Sequence, residues 1–315
     1  MKRRVIVSIV ALIMTLMIMP QTVSAMSFSP PAAGTVIVPQ TDVFGRPTGT
    51  SVATQGAGAP GAPAPAEASQ RIPHAAMVNA MNPAIAINSD VVGWLHIPNT
   101  NMNTPILQHA QDNSYYLYRN IHRQHFPNIY WRNAPYTVTY LDFRTIIGEG
   151  WRHGSSRNMV LYGHNWTNLR RPFDIGNTGG HTMFGQLPSY TSIDFARANP
   201  HIYFSTPELE GVWRVFAVGY TDVRADFFYN NPNPNDEQFQ HILNGWRPRT
   251  IFNFDVEVDT TDRILTLSTC TRHSPTLGAN QRFVVVARLL RPGESDNDVV
   301  NVVPNPNLNN PMFPS

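Results

Sequence analysis

The sequence predicts a mainly β fold with peripheral helices, arranged as an antiparallel or mixed β-barrel. Three observations predict it. Short β-prone runs recur through the middle of the chain, turn residues separate them at close spacing, and only a few segments carry helical periodicity. No internal repeat is visible.

Composition divides the 315 residues into four stretches. Residues 1–26 open with Lys2, Arg3 and Arg4, continue with the apolar run Val5 to Met19 and end near Val23-Ser24-Ala25. A cleaved signal peptide and an uncleaved membrane anchor both fit this pattern, and either puts the body outside the cytoplasm. Residues 27–70 are rich in Pro, Gly, Ala, Thr and Ser and read as a flexible linker, in which Val36-Ile37-Val38 is too short to count as an element. Residues 71–292 have globular composition and form a single domain. Residues 293–315, rich in Asn and Pro, read as a disordered tail.

Within the domain, Ala75 to Ala80 forms a short helix. Pro83 interrupts it, and Asn82 caps a second turn to Ile87. Val92, Trp94 and Ile97 mark a strand, with Gly93 at a bulge or a close backbone approach. Pro105 to Gln108 and Tyr136 to Phe143 are further strands, and Asn113 to Tyr118 is a tyrosine-rich segment between them. Arg157 to Tyr162 is a buried strand followed by Gly163-His164-Asn165, and Asn168 to Gly180 is a polar loop. Ser192 to Ala198 makes a helical turn. His201 to Ser205 and Val212 to Tyr220 are strands joined by turn residues. Asp236 caps a helix that carries Phe239, Ile242, Leu243 and Trp246 on one face. Phe252 to Val258, Arg263 to Thr269 and Arg282 to Leu290 complete the strands, and Pro292 ends the last.

The formal net charge is +2. Three of the 23 basic residues lie in the first four positions, so 20 basic face 21 acidic groups in the remainder. That balance argues against a nucleic-acid partner, which needs clustered cations on the folded part. Lys2 is the only lysine.

Cys270 is the only cysteine, at the end of an apolar strand. An exported chain with one thiol has no internal disulfide, and the thiol is either buried or used. Cysteine catalysis needs a thiolate, a proton carrier and stabilisation of an oxyanion. His164, just past a strand and after the permissive Gly163, and Arg282, opening the strand after Cys270, are the candidates for the last two tasks. His153, His181 and His273 rival His164 on position alone, and a buried Cys270 with no chemistry stands as the alternative. The order, histidine first and cysteine about 100 residues later, is the reverse of papain-like enzymes. No pattern calls for a metal or a cofactor: there is no second cysteine, HExxH, P-loop or GxSxG.

Several segments taken in order resemble one family. Leu161-Tyr162-Gly163-His164, Met183-Phe184-Gly185-Gln186-Leu187, Leu267-Ser268-Thr269-Cys270 and Arg282-Phe283-Val284-Val285 are similar to landmarks of the sortases. Asn88 to Leu95, Pro105 to Gln108, Asp112 to Leu117 and Tyr140 to Arg144 resemble class B in particular. The resemblance runs from about Arg71 to Arg291. It implies a sortase-like closed β-barrel with an N-terminal helical extension and a helix before the cysteine strand. It further implies Cys270 as nucleophile, His164 as general acid and base, and Arg282 as substrate and oxyanion stabiliser. The implied substrates are secreted proteins bearing a C-terminal sorting signal, joined through a thioester to a peptidoglycan-precursor or pilin amine. The implied place is the extracellular face of the cell membrane of a Gram-positive-type cell, held there by the N-terminal segment. Against this stands a catalytically inactive surface barrel that binds wall components or a partner protein. The chain departs from the family at Asn168 to Gly180, which looks like an insertion, at the loop after Cys270 with Arg272 and His273, and beyond Pro292.

Overall fold

The computed structural model describes residues 71–125, 138–165, 168–169, 183–224, 228–273 and 280–308, and the backbone of two strands at 35–41 and 47–54. The apolar segment within 1–26 lies outside the described residues, among which no helix is long and apolar enough to cross a membrane.

Of residues 27–70, expected as a linker, the two described segments are strands. β1 (Thr35–Thr41) and β2 (Pro47–Thr54) pair antiparallel, so Val36-Ile37-Val38 belongs to a hairpin.

α1 (His74–Ile87) is one helix, not the two short pieces expected. Pro83 sits inside it. Proline removes one backbone donor and crowds the preceding turn, at roughly 3 kcal/mol. Packing outweighs this: Met77, Met81 and Ala84, spaced four and three apart, are buried against Val91, Trp94, Leu107 and Tyr116.

Eight strands then close a barrel: β3 (Val91–His96), β4 (Asn103–Leu107), β5 (Thr139–Leu141), β6 (Asn158–Gly163), β7 (His201–Ser205), β8 (Val212–Asp222), β10 (Ile264–Cys270) and β11 (Gln281–Leu289). The order around the barrel is β10-β11-β8-β7-β3-β4-β5-β6. Pairs β4/β5 and β6/β10 are parallel and the others antiparallel, so the barrel is mixed. Gly93 marks a register shift in β3, and a Cβ there would lie 2.7 Å from both the Phe204 ring and the Ser205 carbonyl oxygen. β5 is shorter than the expected 136–143; residues 136 and 137 lie outside the described residues.

The barrel interior is filled by alternate residues, among them Leu161, Val215, Leu265, Leu267, Phe283 and Val285. The opposite face of β8, β10 and β11 is covered by α3 (Asp236–Trp246). Its Phe239, Ile242, Leu243 and Trp246 pack on Ala217, Ile264, Val284 and Val286, the stripe read from the sequence. The cap is Asn235, one residue before the expected Asp236. Its side chain accepts from Gln238 N–H, and the Gln238 side chain accepts from Asn235 N–H. A short helix, α2 (Ile193–Ala198), is capped by Ser192.

The expected disordered tail is corrected over residues 293–308. After β11 the chain folds back and β12 (Val302–Pro304) pairs with β9 (Phe252–Phe254), a shorter strand than the expected 252–258. Val300 and Val302 enter the core. Charge holds the rest. Arg288, 1% exposed, donates to both Glu294 oxygens at 2.7 Å. Arg214 donates to the Ser295 carbonyl at 2.7 Å and to Asp298 at 2.9 Å. A buried guanidinium needs such partners, and the extension supplies these. Residues 309–315 lie outside the described residues.

Two outcomes follow. Asn235→Ala is expected to lower the unfolding free energy by about 1 kcal/mol, read from urea midpoints, because the side-chain acceptor of the Gln238 N–H is lost while the backbone N–H at 235 keeps its bond to the Gln238 side chain. The bonds from Arg288 hold Glu294 down at about 2, against an ordinary 4.5. A carboxylate depressed in the native state stabilises it above the unfolded pKa and loses that contribution as pH falls through the native one. The stability gap between wild type and Glu294→Gln should therefore be full above about pH 4.5 and close toward pH 2.

Candidate active site

Cys270 is the last residue of β10, and its antiparallel partner on β11 is Arg282. On its other side β6 runs parallel to β10, with Thr269 opposite Gly163 as the final pair. His164 follows Gly163 as Cys270 follows Thr269. Neighbouring strands are about 4.8 Å apart, so three sequence-distant residues arrive on adjacent strand ends. Alternation sets their face. Leu265, Leu267, Phe283 and Val285 point into the barrel, so Cys270 and Arg282 point out of it. Cys270 is partly exposed, not sealed in the core.

Gly163 brings β6 close to its neighbours: a Cβ there would meet the Phe184 ring at 2.7 Å and Thr139 at 2.9 Å. Thr269 Oγ1 donates to the Gly163 carbonyl at 2.7 Å, tying the cysteine strand to the histidine strand beside Cys270 and His164. Arg282 donates from Nη1 to the Gln281 carbonyl at 3.0 Å.

His164 is buried, and its Nε2 lies 2.7 Å from the Leu117 carbonyl oxygen. A carbonyl only accepts, so Nε2 carries a hydrogen and Nδ1 is the nitrogen that gains and loses a proton. Burial lowers the His164 pKa below 6.5, and the Leu117 bond opposes that. The ring is therefore neutral near pH 7.

Leu117 sits in a 3₁₀ turn, Tyr116–Tyr118. Tyr116 is fixed by donating to Asp90 at 2.5 Å and accepting from Asn88 at 2.9 Å. Asn88 is the C-cap of α1. The tyrosine-rich segment thus orients the histidine through a backbone carbonyl, which no side-chain pattern announces.

Beside the trio, the outer face holds three phenols. Tyr229 hydroxyl is 3.0 Å from Ser268 Oγ, on the same face of β10 as Cys270. Tyr140 and Tyr162 pair across β5 and β6 with ring centroids 5.5 Å apart. Burial raises the Tyr140 and Tyr229 pKa values, and both also feel Cys270 and Arg282. These phenols stay neutral; Tyr229 bonds to Ser268, and Tyr162 donates to Asp142 at 3.0 Å.

Of the rival histidines, His153 is exposed in a turn before β6, at the opposite end of that strand from Gly163. His273 stacks on Tyr220 at 4.1 Å between centroids. His181 lies outside the described residues, as does most of the expected 168–180 insertion; of that stretch Asn168 and Leu169 are described.

Residues 95–290 match the family described as Sortase domain. Sortase B of Staphylococcus aureus is 29% identical over 206 residues, covering 65% of this chain and 72% of that protein. A Staphylococcus aureus sortase B–substrate complex superposes with a TM-score of 0.53 at 27% identity, covering 68% of this chain and 86% of the other. A sortase B complexed with triglycine gives 0.52 at 26%, covering 68% and 87%.

The buried ring carries an expectation. In an NMR titration of the folded protein, the His164 midpoint should fall on the acid side of 6.5. A midpoint above 6.5 would mean that a nearby anion, not burial, governs the ring.

Proposed function

This chain belongs to the sortase family, among the class B enzymes, and is a cysteine transpeptidase; from that premise we propose that Cys270, His164 and Arg282 carry its reaction, on secreted proteins bearing a C-terminal sorting signal. The observation that carries the assignment is the shared register of the three strand ends.

In the proposed sequence, Cys270 gives its proton to His164 Nδ1, and the thiolate attacks the carbonyl carbon of the scissile peptide bond. The Arg282 guanidinium, permanently charged, stabilises the oxygen that becomes negative. The carbon–nitrogen bond breaks as the imidazolium protonates the leaving amine, leaving a thioester on Cys270. An incoming amine then attacks the thioester, its proton passes to His164, and the thiolate leaves. The low His164 pKa suits a ring that accepts a proton readily at neutral pH only when a thiolate forms beside it. The triglycine complex of a relative supports an oligoglycine-type amine as acceptor, in keeping with a peptidoglycan cross-bridge. The basic Lys2-Arg3-Arg4 and the apolar run after it support work at the extracellular face of the cell membrane.

The test is a panel of candidate sorting pentapeptides, with mass detection of the acyl-enzyme and triglycine as acceptor. Wild type should form a thioester and transfer it; Cys270→Ala should do neither. Arg282→Ala should lower kcat about 100–1000-fold, as loss of an oxyanion donor does. Arg282→Lys should recover little, because an ammonium lacks the planar fork. Cleavage of the peptide by Cys270→Ala at the wild-type rate, or an undiminished rate in Arg282→Ala, would remove the respective role.

A further inference from the structure

The backbone ladder between β6 and β10 stops at Thr269 and Gly163, one residue short of the reacting pair. Beyond it the chain turns, with His164 and Asn165 followed by Asn168 and Leu169. Strand ends fray when their backbone groups lose partners. Here a side chain continues the ladder. Asn165, 1% exposed, donates from Nδ2 to the carbonyl of Cys270 at 3.2 Å and to the carbonyl of Asn168 at 2.9 Å. Its Oδ1 accepts from Asn168 N–H at 3.0 Å. Both amide hydrogens and the oxygen are thus engaged, a complete use of the group in a buried place. Pairing resumes on the far side, where Arg272 N–H donates to the Leu169 carbonyl at 2.7 Å. His164 is tied as well: its carbonyl accepts from Phe184 N–H at 3.1 Å.

We propose that Asn165 is a positioning residue: its amide acts as an added rung that fixes the Cys270 backbone relative to His164. An amide side chain has the donors and acceptor of a peptide unit, so it can replace one where the main chain turns away. Without it the Cys270 carbonyl is left unpaired on the β6 side, and the sulfur is free to drift relative to the imidazole and to a bound carbonyl. Misplacement by about 1 Å costs on the order of 100-fold in rate. The sequence motif around the histidine contains Asn165, but only its contact with Cys270 shows the task.

The inference rests on Cys270 being the nucleophile, and the test separates the two. Asn165→Ala and Asn165→Asp are compared with wild type by thermal unfolding, by acylation with a peptide that wild type cleaves, and by alkylation with iodoacetamide. Asp keeps the acceptor for Asn168 N–H and loses both donors, so it removes the bonds to the Cys270 and Asn168 carbonyls and spares the third. Alkylation is read at its high-pH plateau, where differences in thiol ionisation vanish. In a folded variant, kcat for acylation should fall about 10–100-fold with KM unchanged. Plateau alkylation should stay within about twofold, because that reaction needs no alignment with a bound carbonyl. An undiminished kcat in either folded variant overturns the proposal, and so does alkylation that falls as far as acylation. Failure of both variants to fold would make Asn165 a determinant of stability and overturn it too. Acylation of Cys270→Ala would instead sink the nucleophile itself.

Discussion

β6 and β10 run parallel through six register pairs, from Ile264 opposite Asn158 to Thr269 opposite Gly163. Nearly everything at the site depends on this pairing. A one-residue slip would turn Cys270 from the outer face into the barrel, since side chains alternate. The register is pinned at both ends by side chains. Thr266 Oγ1 donates to Asn158 Oδ1 at 2.7 Å, and Thr269 Oγ1 donates to the Gly163 carbonyl at 2.7 Å. Asn158 is held in turn by donating to the Tyr229 and Asn231 carbonyls. A parallel pair needs a long crossover, and this one contains β7, β8 and α3. The separation of histidine and cysteine along the chain is a consequence of that topology.

Electrostatics at the site follow from burial more than from close ion pairs. His164 is shifted by desolvation, and the phenols of Tyr140 and Tyr229 are kept neutral by the same cause. Charge pairing is concentrated elsewhere. Asp142 is held low, its burial outweighed by bonds from Arg144 and Asn113, and it also accepts from Tyr162. Arg288 and Arg214 are neutralised by the C-terminal extension. The fold therefore spends its strong pairs on holding loops to the barrel, and around the thiol it sets a neutral imidazole and neutral phenols beside the Arg282 guanidinium.

Legibility in the sequence differs by element, for physical reasons. The strands at 158–163 and 264–270 and the apolar face of α3 are readable because their patterns express burial directly. α1 does not read as one helix because Pro83 is a strong local signal, while the packing of Met77, Met81 and Ala84 is a tertiary one. The extension does not read as folded because its Asn and Pro content describes the chain, not its partners. Glu294 and Asp298 have meaning only beside Arg288 and Arg214. At the site, residue types suggest cysteine chemistry, and the structure sets Cys270, His164 and Arg282 on adjacent strand ends. Their alignment is not legible, since periodicity within a strand says nothing of its neighbours. The Leu117 carbonyl is hidden for a simpler reason: every residue has one.

The ion pairs among the described residues share one chemical trait: each cation in them is a guanidinium. The chain's sole lysine is Lys2, far from the barrel in sequence. A guanidinium stays protonated throughout the working range and has no lone pair to offer an electrophile. The folded body thus presents no primary amine on its side chains. An activated acyl group held on such a scaffold has no internal nucleophile of that kind to capture it, and self-labelling through side-chain amines is closed off by composition. Discharge to an amine must then go outward, to whatever acceptor the surroundings bring.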